Sequence, residues 1–295
     1  MTIRSLLFVP GDSEKKIAKA GSGPADALIL DLEDSVAPER KAFARGRVAE
    51  YLFAHSAARA QKLWVRINPL DTPEALTDLA AIVRGRPDGL LLPKASGAQD
   101  VVLLDHYLNA LETRDGLPRG GIKVVVVATE TGAAMFGLGT YSKSTPRLAG
   151  LTWGAEDLAA AVGASSNSDA NGELTLLFRM ARALCLAASA AADVEPVDTA
   201  YMGIGDPQGL KKVCDEARRD GFRSKMAIHP DQVEIINAAF TPSDAEIAHA
   251  QRVCDLFAAN PGAGTLKLDG RMLDIPHLKQ ARRVLALAEE LRQRG

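Results

Sequence analysis

Short apolar runs alternate with longer amphipathic segments along most of the chain. Eight of these runs are strand candidates, and they cover residues 6–9, 27–32, 63–67, 89–94, 123–130, 148–153, 199–204 and 226–230. The fifth run is the clearest, because its continuous β-branched stretch is typical of a strand buried on both faces of a parallel sheet. Segments with helical patterning separate nearly all of the runs, which indicates an alternating α/β architecture.

Strict alternation of strands and helices predicts right-handed β-α-β units and a parallel sheet. Eight such units predict an α/β protein of the closed (β/α)8 TIM-barrel type, and an open doubly wound sheet is the alternative. No GxGxxG motif follows the first strand candidate, so a dinucleotide site is poorly supported.

The chain continues past the eighth strand candidate for longer than barrel closure requires. Helical patterns cover residues 232–240, 244–259 and about 276–292. We therefore predict a barrel over residues 1–240. Residues 241–295 are predicted to form a C-terminal helical extension that acts as a lid.

The composition is that of an ordinary globular chain. Of its 295 residues, 47% are apolar and 24% are charged, which excludes a disordered, collagen-like or disulfide-stapled protein. The 35 Lys and Arg residues against 37 Asp and Glu residues leave a net charge of −2. This balance argues against a general nucleic-acid binder, which needs a basic surface.

The three cysteines, Cys185, Cys214 and Cys254, lie far apart and without a close histidine. We interpret them as reduced thiols, which fits a reducing cytoplasm. The first residues carry one basic side chain and a very short apolar run, unlike a signal peptide. The apolar runs also fall far short of the roughly 20 residues that span a bilayer. We expect a soluble cytoplasmic protein without nucleic-acid or membrane partners.

Charged or titratable residues end most of the strand candidates. They are Asp31 with Glu33 and Asp34, Arg66, Lys94, Glu130, Asp157 and His229. Active sites of TIM barrels lie at the carboxyl ends of the strands. Because a hydrophobic core would select few of these residues, the pattern predicts a reactive mouth or a metal site at that rim.

Glu130 and Asp157 end neighbouring strand candidates. Carboxylate oxygens with room for water suit Mg²⁺, which takes one or two protein carboxylates and keeps several waters. Zinc is disfavoured, because no Cys or His pair has ligand spacing. The alternative is that both carboxylates are salt-bridged rim residues.

Arg66 could bind a substrate carboxylate through two parallel hydrogen bonds. It could equally be the structural partner of Asp31 or Glu33, and the two roles are compatible. The acidic cluster could then orient Arg66 or a metal-bound water, although Asp34 could also cap the following helix.

Lys15 and Lys19 lie four residues apart and therefore share one face of a predicted helix. Such lysines are usually solvated, and the alternative is a contact with a phosphate at the barrel mouth. His229, before Pro230, could be a ligand, but a hydrogen-bonded histidine at a strand end is the simpler interpretation.

Eight short motifs are spread over nearly the whole chain, at residues 4–11 (RSLLFVPG), 31–36 (DLEDSV), 65–69 (VRINP), 93–95 (PKA), 130–132 (ETG), 153–158 (WGAEDL), 227–230 (AIHP) and 269–276 (DGRMLDIP). With these motifs in this order, the sequence resembles the citrate lyase β-subunit-like group of the HpcH/HpaI aldolase superfamily, close to its citramalyl-CoA and malyl-CoA lyases. The set is specific, whereas PKA or ETG alone would be weak.

The resemblance implies a (β/α)8 barrel that binds Mg²⁺ and assembles as a homotrimer or hexamer. It also implies chemistry on carbon–carbon bonds of 3-hydroxyacyl thioesters of coenzyme A, or of an acyl-carrier protein in citrate lyase itself. By motif, Glu130 and Asp157 become the metal ligands, and Glu130 also belongs to the catalytic and substrate-binding set. Arg66 would contact the substrate.

The resemblance assigns roles to further residues. Lys15 and Lys19 would approach the phosphates of coenzyme A, and Phe8 with Ile228 and His229 would line the thioester site. Asp274, in the last motif, would be catalytic and would come from a neighbouring subunit, which gives the C-terminal tail a purpose.

The resulting hypothesis is a Mg²⁺-dependent retro-aldol cleavage that yields acetyl-CoA and a 2-keto acid. Arg66 would stabilise developing oxyanion charge, and Asp274 would protonate the enolate carbon. Three alternatives remain open: a thioesterase for malyl-CoA-like compounds, an aldolase for free hydroxy-keto acids, and a carrier-dependent subunit. The pair of Lys15 and Lys19 argues mildly against the second, and the Asp274 tail argues moderately against the third.

Overall fold

The computed structural model describes residues 3–56 and 59–293. Its centre is a closed barrel of eight parallel strands, in which each strand pairs with its neighbours in the chain and the first pairs with the last. The strands are β1 (Ser5–Pro10), β2 (Ala27–Asp31), β3 (Lys62–Arg66), β4 (Gly89–Leu92), β5 (Lys123–Val127), β6 (Leu148–Thr152), β7 (Glu195–Asp198) and β8 (Ser224–Ala227). The predicted α/β TIM barrel is therefore confirmed.

Helices connect successive strands and surround the barrel. They are α1 (Glu14–Gly21), α2 (Lys41–Ala54), α3 (Pro73–Ile82), α4 (Ala98–Arg114), α5 (Gly132–Gly137), α6 (Glu156–Val162), α7 (Leu176–Ala192), α8 (Pro207–Asp220) and α9 (Val233–Ala239). None of the described helices has the length and apolar character that crossing a bilayer requires.

The buried side chains form an inner and an outer layer. In β5, Val125 and Val127 belong to the cluster inside the barrel, whereas Val124 and Val126 pack towards the surrounding helices. This alternation follows from the period of two along a strand. Because both faces are covered, every residue of the strand after Lys123 is apolar, and this is why its sequence signal is so clear.

The seventh strand was predicted at residues 199–204, and this prediction is wrong. The strand is β7, Glu195–Asp198, and the apolar run after it forms a loop in which Met202 and Ile204 are exposed. Only Pro196 and Val197 of β7 are apolar, and Asp198 is buried through polar partners. A strand this short does not produce the apolar run on which the prediction relied. The eighth strand likewise starts and ends earlier than predicted, with β8 at Ser224–Ala227.

The C-terminal extension contains α10 (Asp244–Ala259), a two-stranded antiparallel hairpin and α11 (Ile275–Arg292). Its strands, β9 (Thr265–Leu268) and β10 (Arg271–Asp274), were predicted only as a short connecting stretch. They turn through Asp269 and Gly270, both with positive φ, as in the Asp-Gly turns that connect hairpin strands. The hairpin and two helices share a small apolar cluster of their own. The boundary at residue 240 stays a prediction.

Candidate active site

The carboxyl ends of five neighbouring strands converge on one rim of the barrel, because the sheet is parallel and closed. Along this rim lie Asp31 at the end of β2, Arg66 at the end of β3, Lys94 after β4, Glu130 after β5 and Asp157 at the start of α6. Hydrogen bonds or ion pairs connect these residues into one group, which we call the mouth cluster together with Glu33 and Asp34.

Asp31 and Arg66 are directly opposite each other in the pairing of β2 with β3. Arg66 donates from Nε to Asp31 Oδ1 at 2.7 Å and from Nη2 to Oδ2 at 2.6 Å. The backbone N–H groups of Glu33 and Ser35 donate to the same carboxylate at 3.0 and 3.1 Å. Burial alone would raise the pKa of Asp31, but the hydrogen bonds and charge of Arg66 hold that pKa below its usual range.

Arg66 is held on two more sides. Its Nη1 lies 2.8 Å from Glu33 Oε2, and the ring of Phe8 lies 4.8 Å from the guanidinium carbon. Burial would lower the pKa of Arg66, yet its hydrogen bonds to Asp31 raise it, so the guanidinium is permanently charged. Phe8 and Arg66, both predicted in the substrate site, are therefore in contact, and Arg66 has the structural partners that the sequence left open.

Lys94 connects the acidic side of the cluster. Its Nζ lies 2.5 Å from Glu33 Oε1, 3.2 Å from Asp34 Oδ2 and 3.5 Å from Asp157 Oδ1. Burial raises the pKa of Glu33, and this effect outweighs the opposing charges of Arg66 and Lys94. Asp34 thus contacts Lys94, which supports a place in the cluster.

Glu130 is the most isolated carboxyl group of the cluster. Its side chain is 4% exposed, and in the described part of the chain its close donor is the backbone N–H of Lys94, 2.5 Å from Oε2. Removal from water raises its pKa to about 8, because this one hydrogen bond does not offset burial and the charges of Asp157 and Glu33 raise the pKa further.

Gly154, after β6, leaves the space that Glu130 occupies. A Cβ atom at residue 154 would lie 2.7 Å from Glu130 Cγ, so a larger residue would displace the carboxylate. The Gly154 N–H also donates to Thr129 Oγ1 at 3.0 Å, which ties the end of β6 to the segment that carries Glu130. The WGAEDL and ETG motifs are thus packed against each other.

Glu130 and Asp157 fit a magnesium ion. Both present hard oxygen ligands. Among the described residues Glu130 has no ion-pair partner, and a buried carboxyl group needs a cation to carry its charge. Across residues 3–56 and 59–293, no three His, Cys, Asp or Glu side chains converge as a ready cluster for a metal ion. Magnesium accepts one or two protein carboxylates plus waters, so this arrangement suits it better than zinc.

Ile228 and His229 lie just beyond β8. The side chain of His229 accepts a hydrogen bond from the Asp231 N–H at 3.3 Å and caps the turn Pro230–Gln232. The N–H groups of Ile228 and His229 donate to Gln232 Oε1 at 2.9 and 3.3 Å. His229 is therefore hydrogen-bonded at a strand end, and within the described residues no hydrogen bond or ion pair joins it to the mouth cluster.

Lys15 and Lys19 are both exposed on α1, whose buried side carries Ile17. Neither ammonium group forms an ion pair within the described residues. They are thus accessible to an anionic ligand, and equally to solvent.

Asp274 ends β10 and stands at the N-cap of α11, in the C-terminal extension. Its Oδ1 lies 2.5 Å from His277 Nδ1, and its side chain is 43% exposed. Within the described part of the chain, no hydrogen bond or ion pair joins it to Arg66, Glu130 or Asp157. The chain itself therefore does not bring Asp274 into the mouth cluster.

A family model described as HpcH/HpaI aldolase/citrate lyase matches residues 4–230, which span the whole barrel. This chain belongs to that family. Among its relatives, the (3S)-malyl-CoA thioesterase of Cereibacter sphaeroides is 33% identical over 290 residues, covering 98% of this chain and 95% of that protein. The citrate lyase subunit beta of Haemophilus influenzae is 32% identical over 288 residues, covering 97% of each.

A third relative, the mitochondrial citramalyl-CoA lyase of Rattus norvegicus, is 30% identical and covers 99% of this chain and 87% of that protein. Among solved structures, CitE of Mycobacterium tuberculosis in complex with magnesium, acetoacetate and coenzyme A matches with a TM-score of 0.79. It is 30% identical, and the match covers 98% of each chain. The predicted family and its lyase class are confirmed.

Sequence reasoning missed two polar features of this HpcH/HpaI barrel. Gln232 is buried and also donates to the Tyr201 carbonyl at 2.8 Å, and its spacing from His229 matches a capping box. Asp198 is buried and accepts from Trp153 Nε1 at 2.8 Å and from Lys225 Nζ at 2.7 Å. The misplaced seventh strand hid Asp198, which lies just before the run predicted at residues 199–204.

Proposed function

We propose that the protein is a Mg²⁺-dependent carbon–carbon lyase that cleaves a 3-hydroxyacyl-CoA thioester of the citramalyl-, malyl- or citryl-CoA type. The products are acetyl-CoA and a 2-keto acid. The observation that carries the proposal is Glu130, a buried carboxyl group beside Asp157 that forms no ion pair within residues 3–56 and 59–293. The names of the relatives and the magnesium and coenzyme A bound to the CitE structure support it.

Glu130 and Asp157 would hold the magnesium ion, which supplies Lewis-acid stabilisation of negatively charged oxygen. The chain itself supplies the geometry of the ligands. The Lys94 N–H orients the Glu130 carboxylate, and Gly154 leaves room for it. Asp157 lies in the first turn of α6, where the positive end of the helix favours a carboxylate.

Arg66 would bind the oxyanion that develops on the substrate. A guanidinium carries five N–H donors. Two of them donate to Asp31, and Nη1 forms an ion pair with Glu33. The remaining donors on Nη1 and Nη2 would bind a substrate oxygen. Because Asp31, Glu33 and Phe8 already hold the guanidinium, its orientation need not be established during the reaction, which favours the transition state.

Asp274 would act on carbon, from the extension of a neighbouring subunit in a homotrimer or hexamer. In the cleavage direction a water molecule at the mouth would accept the proton of the substrate hydroxyl. The oxygen then forms the carbonyl of the 2-keto acid as the carbon–carbon bond breaks. The electron pair of that bond forms the enolate of acetyl-CoA, and Asp274 donates a proton to the enolate carbon. The exposure of Asp274 and its purely local contacts in this chain support an encounter with another subunit.

Lys15 and Lys19 would pair with the phosphates of coenzyme A, because their charge is exposed on the helix that follows β1. Phe8, Ile228 and His229 would line the space for the thioester. Phe8 contributes an apolar face beside Arg66 and so would place the acyl group next to the charged cluster.

Product analysis with purified protein tests the proposal. Citramalyl-CoA, malyl-CoA and citryl-CoA are each incubated with and without Mg²⁺, and we expect acetyl-CoA plus the matching keto acid only with the metal. A second candidate is a malyl-CoA thioesterase, because the 33% identical relative carries that name. That activity would release free malate or citramalate with coenzyme A. Turnover only of thioesters of an acyl-carrier protein would instead identify a carrier-dependent citrate lyase β subunit.

A further inference from the structure

Lys94 has an unusual backbone for a lysine. Its φ angle is +52°, in the left-handed region that residues with a Cβ atom rarely adopt. In this conformation its N–H points at Glu130 Oε2, 2.5 Å away. Strained backbone of this kind persists where the surroundings hold it and is concentrated at functional sites.

The Lys94 ammonium is engaged by the protein. It donates to Glu33 and Asp34 and forms an ion pair with Asp157. The other cation of the mouth cluster, Arg66, faces Asp31 and Glu33. Lys94 is therefore the cation of the cluster that faces Asp157.

One residue thus touches both proposed metal ligands in different ways. Its main chain holds Glu130, and its side chain places a positive charge 3.5 Å from Asp157. A cation bound between these carboxylates would be repelled by that charge, and solvent would weaken the repulsion only in part, since the Lys94 side chain is 31% exposed.

We propose that Lys94 is a positioning residue with two separable effects on the metal site. Its left-handed backbone fixes the Glu130 carboxylate, and its ammonium lowers the affinity of Glu130 and Asp157 for a divalent cation. This inference rests on the proposed function, because it requires that these two carboxylates bind the metal. A lysine with a merely structural role would have the opposite effect on metal affinity, since its loss would loosen the site.

Calorimetric titration of the metal-free protein with Mg²⁺, at fixed pH and ionic strength, tests the inference. Lys94→Met keeps the length and the Cβ atom but removes the charge, and we expect it to bind Mg²⁺ on the order of tenfold more tightly. Lys94→Arg keeps the charge and should stay within about twofold of the wild type. Lys94→Gly keeps the backbone conformation without a side chain, and should also bind more tightly.

Lys143→Met is the matched control. Lys143 also has a left-handed backbone, with φ +60°, but it is exposed in the loop before β6, at the opposite end of the barrel. Its replacement should leave the Mg²⁺ affinity within about twofold of the wild type, because its charge is screened from the mouth.

Three outcomes would contradict these expectations. If the wild type bound no Mg²⁺, the proposed function would fail and this inference with it. If the wild type bound Mg²⁺ but folded Lys94→Met and Lys94→Gly bound it equally or more weakly, the inference alone would be overturned. Equal tightening by Lys143→Met would also overturn it, because the effect would then reflect net charge rather than the contact with Asp157.

Discussion

The guanidinium of Arg66 and the carboxylate of Asp31 form a two-pronged ion pair at the end of two adjacent strands, with N–O distances of 2.7 and 2.6 Å. The strand register places them side by side, and the Asp31 side chain is fully buried. Asp31, which orients Arg66, is itself a residue of the barrel wall. The orientation of Arg66 in the site therefore depends directly on the folded barrel.

Asp31→Asn should damage both stability and activity. Removing the Asp31 charge breaks a buried pair and leaves Arg66 with Glu33 as its carboxylate partner. We expect the free energy of unfolding to fall by about 3 kcal/mol. The loosened guanidinium should also lower kcat/KM by about tenfold or more. Urea unfolding and steady-state kinetics measure the two effects.

Asp12→Asn provides the control for Asp31→Asn. Asp12 pairs with Arg40 at 3.1 Å, but both side chains are partly open to solvent. The variant should change the free energy of unfolding by no more than about 0.5 kcal/mol. Equal effects of the two substitutions would show that burial of the Asp31 pair contributes nothing to the free energy of unfolding.

The sequence predicted the barrel because its strands follow simple rules. In β5 every residue after Lys123 is apolar, because helices cover the outer face and side chains fill the interior. The rule fails at β7, where Asp198 is buried by pairing with Lys225 rather than by apolar character. Hydrophobic patterning cannot detect such a strand, since its burial depends on residues that are distant in the sequence.

The candidate site was predictable in its members but not in their connections. Strand ends identified Arg66, Glu130 and Asp157, because topology alone brings those ends to one rim. The role of Lys94 was missed, since its left-handed backbone and its contact with Asp157 exist only after folding. Asp274 is the opposite case. A sequence motif assigned it to the site, but the structure of one chain does not bring it there, because its proposed partners belong to a neighbouring subunit.

Glu130→Gln should abolish metal binding without unfolding the barrel. The amide is a poorer ligand for Mg²⁺, and we expect turnover to fall on the order of 100-fold or more. Stability should be unchanged or higher, because burial of the carboxyl group, the cause of its raised pKa, opposes its ionisation in the folded protein. Calorimetric titration with Mg²⁺ and urea unfolding provide the measurements.

Glu173→Gln is the control for Glu130→Gln, since Glu173 pairs with Lys212 on the surface, where both side chains are 61% exposed. It should retain metal binding and turnover. If Glu130→Gln bound Mg²⁺ as the wild type does, the metal would have to lie elsewhere.

Glu112, at the other end of the barrel, makes the free energy of unfolding depend on pH. It accepts hydrogen bonds from the fully buried Arg147, and from the N–H groups of Gly120 and Ile122. Burial alone would raise the pKa of Glu112, but the hydrogen bonds from Arg147 keep it below the usual value of 4.5. A lowered pKa in the folded state stabilises the protein above the unfolded pKa, and this stabilisation is lost as the pH falls through the folded pKa.

Glu112→Gln should therefore lower the free energy of unfolding at pH 7 by about 2 kcal/mol, the order expected for a buried charged hydrogen bond. The difference from the wild type should shrink as the pH is lowered from about 5 to 3, where the wild-type carboxyl group becomes protonated. Urea unfolding at several pH values measures this. For Glu195→Gln, whose partner Arg223 is half exposed, the difference from the wild type should be small at every pH.

Asp274→Asn tests whether the C-terminal extension completes the site of another subunit. The variant should keep Mg²⁺ binding and coenzyme A thioester binding, because Glu130, Asp157 and Arg66 are unchanged, but lose turnover for lack of the proton donor. Co-assembly with Glu130→Gln then separates the two possible geometries. If Asp274 acts across subunits, mixing the two inactive variants restores about a quarter of the wild-type sites, since each active site needs an intact Glu130 in one subunit and an intact Asp274 in the next. If Asp274 acted within its own chain, every subunit would carry one defect and the mixture would stay inactive. A fully active Asp274→Asn enzyme would exclude both arrangements.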